Sequence, residues 1–414
     1  MTKNSYNKFL PFFMWSIPLL FFAHQFILRL WPGLMMQQII TQFNIDATMF
    51  GALAASYYYG YAGMQIPVAI LLDKYGARKI VSIFAIICGL GMIIFTYTNN
   101  FYVALVSRFF IGVGSAVGFL GISKVLSEWF DKKAYTRMVG FSFSFGLMGA
   151  VYGGKPVGLL VEEHSPSNVA FSIGVVSISI GVAAYLFLKS PALNKESHEE
   201  ELEVGRLKAV LSSKLIWVVA ISNLLLVGAL EGFADVWGVQ YLVTCYEMVK
   251  SDAAGVVSLI FVGMLVGGPI LAWFSEKYGE AIVIGFAGFI MSIIFILLLS
   301  DVITKSLLPY FFFIVGVMCC YQVLVFAVGS KVVSEKNMGI CIAFLNSMNM
   351  LGGSFYHSFI GIAMDKFWRG EMAIDGYRVY DLEAYKYSLS IIPICACIGA
   401  LLFVLLHFRR KIRN

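Results

Sequence analysis

Five charged side chains fall inside long apolar stretches of this chain: Arg29, Arg108, Lys155, Glu231 and Asp235. If those stretches are membrane helices, a charge near the bilayer centre costs at least about 2.5 kcal/mol and is expected to face water or an opposite charge. Three of the charges are cationic and lie in the first half of the chain. The other two are acidic and lie in the second half. This polarity indicates a site for a small polar solute.

The cationic residues could hold a carboxylate, and Arg29 suits that role best because its planar guanidinium binds a carboxylate through two parallel hydrogen bonds. Glu231 and Asp235 are four residues apart, hence on one helix face with about 6 Å between them. They could hold an amine, and two carboxylates so close in a low dielectric favour uptake of a coupling proton. The alternative is that all these charges neutralise one another as buried pairs that join the two halves.

Uncharged polar residues fall at a similar depth. Besides Arg29, Lys155, Glu231 and Asp235, the candidate substrate contacts are Gln322, Asn346, Asn349 and Tyr58. Asn346 and Asn349 are three residues apart on one face, where hydrogen bonding between helices is the alternative role. His24 could relay protons, although a lone histidine is more often simply hydrogen-bonded at a helix contact.

The composition requires a membrane protein. Of 414 residues, 59% are hydrophobic and only 13% are charged, whereas a soluble domain is roughly a quarter charged. The net charge of +6 comes from basic residues spread between apolar runs, which argues against a nucleic-acid partner. The seven cysteines form no CxxC pair, so neither a zinc site nor disulfides are expected.

Several motif classes are missing from the sequence. It contains no GxxxxGK[ST] loop, HExxH or GxSxG motif, so we expect neither ATP-driven transport nor an enzyme, and no cofactor or metal. The first apolar run is already long enough for a membrane helix, so no cleavable signal peptide is expected.

Apolar runs of about 20 residues predict membrane-spanning helices, and the chain has twelve candidates. They are 10–38, 47–72, 79–98, 102–127, 136–160, 168–189, 213–244, 253–275, 281–300, 307–332, 338–364 and 386–408. The predicted fold is therefore an all-α membrane protein with twelve helices in two pseudo-symmetric six-helix bundles. The bundles would be 1–189 and 213–414, joined by a charged linker at 190–212.

Basic residues predict the orientation. With both termini in the cytoplasm, nineteen lysines and arginines lie on the cytoplasmic side and six on the other, as the positive-inside rule requires.

An internal repeat supports the two halves. Residues 123–128 read SKVLSE and residues 330–335 read SKVVSE, 207 positions later. Likewise 73–76 read DKYG after the second predicted helix, and 276–279 read EKYG after the eighth. Duplicated halves are typical of secondary transporters.

These residues resemble the major facilitator superfamily over nearly the whole chain. The run LDKYGARK at 72–79 is similar to its signature loop between helices 2 and 3, and SRFFIGVG at 107–114 is similar to its helix 4 motif. The pattern of Gly146, Gly149, Gly153, Gly154, Pro156 and Gly158 is similar to its helix 5 motif. The usual glycine of the signature loop is replaced by Ala69, and Lys155 interrupts the helix 5 pattern.

Other segments resemble particular branches of that superfamily. Trp31-Pro32-Gly33, the tyrosines at 57–59 and EGFADVWG at 231–238 are similar to bacterial phagosomal-transporter-type carriers, which import amino acids and related nutrients. The same layout resembles lysosomal dipeptide carriers and, in Arg29, organic-anion carriers.

The resemblance also implies gating residues. Asp73 would pair with a basic residue near helix 5 or helix 11 and latch the halves together, with Arg78 beside it at the lipid headgroups. Arg108 is expected to be structural, because the superfamily's helix 4 arginine occurs with many substrates. Lys124 and Lys331 lie near helix ends, where lysines can reach the membrane surface, and gating or anchoring is expected of them.

We therefore predict a secondary active transporter that imports an amino acid or short peptide by alternating access and is coupled to protons. Its partners would be the solute, the proton and the lipid bilayer. We expect a monomer in a bacterial inner (plasma) membrane. An organic anion or carboxylate carrier is the alternative, as are sodium-coupled and uncoupled transport. A channel, or a membrane receptor without transport, would be a different class of protein.

Overall fold

A computed structural model describes residues 9–189, 200–373 and 376–413, and these residues are almost entirely helical. The part before the linker, here called the first half, contains α1 (Leu10–Leu34), α2 (Met36–Phe43), α3 (Ala47–Tyr97), α4 (Phe101–Ser115), α5 (Val117–Trp129), α6 (Lys132–Gly153), α7 (Lys155–Glu163) and α8 (Pro166–Phe187). The linker contributes α9 (Glu200–Leu211). Linker residues 190–199 lie outside the described part of the chain.

The second half begins with α10 (Lys214–Leu226), a 3-10 turn (Val227–Ala229), a π-helix (Leu230–Trp237) and α11 (Gly238–Tyr246). It continues with α12 (Lys250–Tyr278), α13 (Glu280–Leu299), α14 (Leu308–Cys319), α15 (Tyr321–Ser330), a 3-10 turn (Glu335–Asn337), α16 (Met338–Lys366), α17 (Leu382–Leu389) and α18 (Ile391–Arg413). In the loop before α17, Met372 and Arg378 form an antiparallel β-bridge.

Ten helices within the described ranges are long and apolar enough to cross a membrane. One of them, α3, has 51 residues, which is roughly 77 Å at 1.5 Å per residue and far longer than one crossing. It bends at Gly76, whose φ of 79° and ψ of 160° are not helical and favour glycine. If α3 is counted as two crossings and α6 with α7 as one more, the ten helices become twelve crossings. The fold is therefore consistent with the twelve predicted helices.

Breaks interrupt equivalent helices in the two halves. The fourth predicted span divides at Ala116 into α4 and α5, and the tenth divides at Cys320 into α14 and α15. The fifth span divides at Gly154, whose φ of −82° and ψ of −107° leave the helical region. Pro156 follows directly in the first turn of α7, where a proline costs no hydrogen bond. The break determines where Lys155 lies.

The halves meet along α3 and α16, along α6–α7 and α12, and where α1 passes the π-helix. Small residues permit this contact: a Cβ added at Gly51 of α3 would lie 2.4 Å from the carbonyl oxygen of His357 on α16. We call the end that carries Asp73 and the linker helix α9 the linker side, and the end that carries Asp46 and the loop 367–381 the far side.

The fold that the sequence predicts, an all-α protein with multiple membrane helices, is confirmed. The exact domain boundaries and the cytoplasmic position of the termini stay predictions, and residues 1–8 and 414 lie outside the described part.

Candidate functional site

A buried charge cluster joins the two halves. Arg29 of α1, only 6% exposed, forms an ion pair through Nη2 with Glu231. Its Nε donates to Oδ2 of Asp235 at 2.6 Å. The same carboxylate oxygen accepts the hydroxyl hydrogen of Tyr58 from α3. The guanidinium also lies 5.6 Å from the ring centre of Phe26 and 5.8 Å from that of Tyr58. The structure therefore brings together four of the predicted site residues.

The π-helix carries both acids of this cluster. Glu231 and Asp235 lie four residues apart in Leu230–Trp237 and are each 1% exposed. π-Helices occur mostly as short insertions and frequently at functional sites. Helix α1 reaches this segment because Gly33 has no side chain: a Cβ there would lie 2.8 Å from the carbonyl oxygen of Val236.

Arg108 positions the backbone that carries Arg29. Pro32 lies inside α1 and has no N–H, so the carbonyl of Leu28, four residues earlier, lacks its helical donor. Nη1 of the fully buried Arg108 donates to that carbonyl at 2.5 Å, and Nη2 donates to the carbonyl of Arg29 at 2.9 Å. The guanidinium stacks 4.5 Å from the ring centre of Tyr57. These contacts stabilise the backbone of α1 around Pro32.

An amide chain extends the cluster into the second half. Nδ2 of Asn349 donates to Oε1 of Glu231 at 3.1 Å, and its Oδ1 accepts from Nδ2 of Asn223 at 3.2 Å. The sequence analysis identified Asn349 but missed Asn223 of α10, which is one polar residue in an apolar run. Gln322 of α15 lies beside Glu231.

Several buried polar atoms around the cluster have no hydrogen-bond partner within the described residues. They include Oδ1 of Asp235, the hydroxyls of Tyr57 and Tyr321, Oε1 of Gln25 and both ring nitrogens of His357. The His357 ring lies 5.0 Å from the Tyr58 ring. Buried polar groups are nearly always hydrogen-bonded in proteins. This interior is therefore suited to water or to a polar ligand that supplies the missing hydrogen bonds.

Lys155 is a correction to the sequence analysis, which placed it in the buried layer. Its side chain is 52% exposed on the far side, and its Nζ lies 2.8 Å from Oδ1 of Asp252 in the other half. The reason is the break at Gly154, since α7 starts a new direction and depth counted along one straight helix no longer applies. Lys155 therefore joins the halves at the surface and does not contact the cluster.

Two other candidates lie apart from the acids. His24 faces α8, with Nε2 3.1 Å from the carbonyl oxygen of Ile173, and thus contacts neither Glu231 nor Asp235. Nδ2 of Asn346 donates to Oε1 of Gln65 at 2.9 Å. That bond joins α16 to α3 on the linker side of the cluster.

The predicted gating residues form pairs within each half. Asp73 pairs at 2.7 Å with Lys124 of the fourth predicted span, so the partner expected in the fifth or eleventh predicted span is wrong. Lys331 pairs with Glu280 at 2.5 Å. Nε of Arg78 donates to the carbonyl of Tyr185 at 2.7 Å.

The fold and its inter-half cluster define a multi-pass helical membrane protein, and the comparisons identify its family. Residues 13–356 match the Major Facilitator Superfamily, and the chain belongs to it. It is thus a multi-pass membrane transporter and not an enzyme.

Relatives and a solved structure agree with that assignment. The chain is 24% identical over 280 residues to the "Probable galactarate/D-glucarate transporter GudP" of Escherichia coli (strain K12), covering 57% of this chain and 60% of the relative. It is 24% identical over 167 residues to the "Probable sulfoacetate transporter SauU" of Cupriavidus necator, covering 40% and 39%. The chain therefore spans only about two fifths to three fifths of these relatives' lengths.

The fold also matches a crystal structure of a bacterial homologue of the human lysosomal transporter Spinster, inward-facing and unoccupied. The TM-score is 0.75 with 16% identity, over 97% of both chains. At this identity the likeness shows the fold alone.

Proposed function

We propose that this chain is a proton-coupled carrier of small carboxylates, with Arg29 as the carboxylate anchor. The observation that carries the proposal is the sharing of one buried guanidinium by Glu231 and Asp235. A substrate carboxylate must compete with these two acids for Arg29. Protons that neutralise the acids weaken their hold and free the guanidinium, so proton uptake and carboxylate binding favour each other.

The relatives support organic acids as the first choice of substrate. GudP is named as a probable galactarate/D-glucarate transporter and SauU as a probable sulfoacetate transporter. All three compounds carry an acidic group that a guanidinium can bind. The acids Glu231 and Asp235 could instead hold an amine, which is why the sequence alone favours an amino acid or short peptide. That candidate remains as the second function, since Glu231 and Asp235 do lie at the site.

We further propose that the linker side faces the cytoplasm. The excess of basic residues on that side supports it, and the far side would then receive solute from outside.

A thermal-shift screen of the purified protein tests the substrate class. The probes are D-glucarate, sulfoacetate, L-alanine and dialanine. A compound that binds only the folded form stabilises it by about 2.7 kcal/mol at a concentration 100 times its Kd. We expect a rise in melting temperature with the organic acids. A shift with L-alanine or dialanine alone would reject the first choice in favour of the second.

Two substitutions locate the binding site. Arg29→Lys replaces a bidentate fork by a point charge and should weaken any carboxylate about tenfold or more, since a hydrogen bond between charged groups contributes roughly 1.5–3 kcal/mol. The matched control is Arg369→Lys, an exposed arginine in a far-side loop. Equal affinity in the Arg29 variant and the control would contradict the anchor.

Glu231→Gln separates the two substrate classes and tests coupling. It should tighten the binding of an organic acid, because one competitor for Arg29 is lost, but weaken an amino acid whose amine needs the carboxylate. Gradient-driven uptake into vesicles should fall while counterflow persists. The control is Glu276→Gln, an exposed glutamate near the end of α12. If gradient-driven uptake stays at the parent level, Glu231 is not the coupling site.

A further inference from the structure

The two oxygens of Asp235 have different surroundings. Oδ2 is occupied by Arg29 and Tyr58, whereas Oδ1 is buried with no hydrogen-bond partner in the described part of the chain. Asp235 also lines a cavity that neither Arg29 nor Tyr58 lines. Of the two oxygens, Oδ1 is thus the one left free for a partner from this cavity.

This cavity lies between the two halves, beside the break in the fifth span. Its volume is about 20 Å³, and its walls include Gly153, Gly154, Ala234, Ala254 and Ser258. That is room for about one water molecule, which needs polar partners to stay. Oδ1 of Asp235 and the hydroxyl of Ser258 supply two. The small residues are needed here: a Cβ at Gly154 would lie 1.8 Å from Oγ of Ser258.

The far-side surface is close to this cavity. Lys155 follows Gly154 directly, and Asp252 lies two residues before Ala254. The ion pair between Lys155 and Asp252 joins the halves there, with side chains 52% and 57% exposed. The cavity that Asp235 lines therefore adjoins the part of the surface where Lys155 and Asp252 pair.

We propose that a single water in this cavity carries protons between the far-side solvent and Oδ1 of Asp235, along a passage separate from the route of the solute. The proposal rests on the proton uptake proposed above for the acidic pair. A hydronium ion at the Lys155–Asp252 surface passes a proton through the water, an O–H bond forms at Oδ1, and neutral water remains. Neutral Asp235 then holds Arg29 less strongly.

The surroundings of Asp235 fit this assignment. Charged and titratable groups near it are Arg29 from α1, Tyr58 from α3, Arg108 from α4, Glu231 from its own helix and Cys319 from α14, with Lys155 and Asp252 at the surface. The halves are meanwhile in contact across the far side, so a proton can reach the site where a solute cannot.

Infrared spectroscopy after a pH jump tests the passage without any solute. The purified full chain in lipid nanodiscs is shifted rapidly to acid pH, and the carboxylic-acid band that Asp235→Asn removes is followed in time. Ala254→Val fills the cavity and should slow the appearance of this band at least about tenfold. That change corresponds to roughly 1.4 kcal/mol in the barrier to protonation. The control is Ala272→Val, the same change at an exposed position of α12.

Ser258→Ala covers the case in which the larger side chain prevents folding. It removes one polar partner of the water without adding volume, and the carboxylic-acid band should again appear more slowly. Lys155→Gln removes the surface ion pair, and the band should then appear faster. Parent-like rates in both Ser258→Ala and Lys155→Gln would overturn the passage, as would equal rates in Ala254→Val and Ala272→Val.

These outcomes are independent of the substrate class, because no solute is present. If the thermal-shift screen fails but Ala254→Val slows protonation, the passage stands and the proposed substrate is wrong. If the screen succeeds but the cavity variants protonate like the parent, the carrier function stands and the passage is wrong. If the infrared difference shows no Asp235 band at any pH, both the passage and proton uptake by Asp235 are wrong.

Discussion

Two sets of ion pairs in this protein differ in burial and in what they join. The cluster of Arg29, Glu231 and Asp235 is buried and joins the two halves. The pair of Asp73 with Lys124 lies inside the first half, with the Asp73 side chain 71% exposed. Buried pairs leave a costly charge when one partner is lost, whereas exposed pairs contribute only about 0–1 kcal/mol. Burial therefore ranks the expected effects of mutation.

Two of the exposed pairs occupy matching positions in the two halves. Glu280 and Lys331 in the second half are 51 positions apart, as are Asp73 and Lys124 in the first. Each of these pairs lies near a glycine with positive φ. The cluster around Arg29 has no such counterpart, since its cation comes from one half and its acids from the other. Repeated contacts thus hold each half together, and the unrepeated cluster lies where the halves meet and where a solute would bind.

Arg29→Ala should have the largest effect. It leaves two buried acids without their cation, and breaking a buried pair in this way typically costs about 3–5 kcal/mol. The melting temperature in detergent should fall markedly. Adding Glu231→Gln and Asp235→Asn to Arg29→Ala should restore much of it, because no uncompensated charge then remains. Lys79→Ala, at an exposed position, is the control, and an equally small shift for Arg29→Ala would contradict the ranking.

Arg108→Lys should come second. A lysine cannot serve both carbonyls in the same geometry, and a buried acceptor left unsatisfied costs about 1–3 kcal/mol. The carbonyl of Leu28 lacks a donor only because of Pro32. Pro32→Ala restores a backbone N–H, so the double variant should lose less stability than the two single changes combined. Additive losses in that double-mutant cycle would show that Arg108 does not act through Leu28.

The two groups also differ in how far sequence alone could predict them. Helix positions follow from runs of apolar residues, and the pairing of Arg29 with Glu231 and Asp235 follows from opposite charges at one depth. Lys155 could not be placed, because the backbone turn at Gly154 redirects the helix. Asn223 could not be found, because one amide in an apolar run has no pattern that marks it. The partner of Asp73 was missed because the spacing of 51 residues has meaning only once the helices are packed.

Asp365→Asn, at the far side, should have an intermediate effect. Its Oδ2 accepts from the N–H of Thr48 at 2.7 Å, and its Oδ1 accepts from Arg378 at 2.8 Å. Partial burial lowers the pKa of the Arg378 guanidinium, but the hydrogen bond and charge of Asp365 outweigh burial and raise that pKa. Losing the charge weakens a contact that joins the halves, so the far side should open more often.

Thiol labelling measures that opening. Ser354→Cys places a reporter in the contact between α16 and α3, where Ser354 donates to the carbonyl of Ala55. Asp365→Asn should raise its labelling rate about tenfold, the factor that corresponds to ~1.4 kcal/mol. The control is Lys386→Gln, which removes a far-side ion pair with Asp301 inside the second half. Equal rates in the two variants would show that Asp365 does not hold the halves together.

Lys124→Gln and Lys331→Gln should have the smallest effects on stability. Lys124→Gln removes the pairs with Asp73 and Glu128 in the first half, and Lys331→Gln removes the pair with Glu280 in the second. These pairs are exposed or only partly buried, so each should cost about 0–1 kcal/mol, and less at high salt because screening weakens such pairs. Since the pairs lie in different halves and share no partner, the double variant should equal the sum of the single ones. Melting curves at low and high salt measure both points. A loss as large as that of Arg29→Ala in either single variant would mean that burial does not determine how much each pair contributes to stability.

Uptake measured on the same variants then separates gating from anchoring, because a gate changes the rate of transport while stability stays near that of the parent.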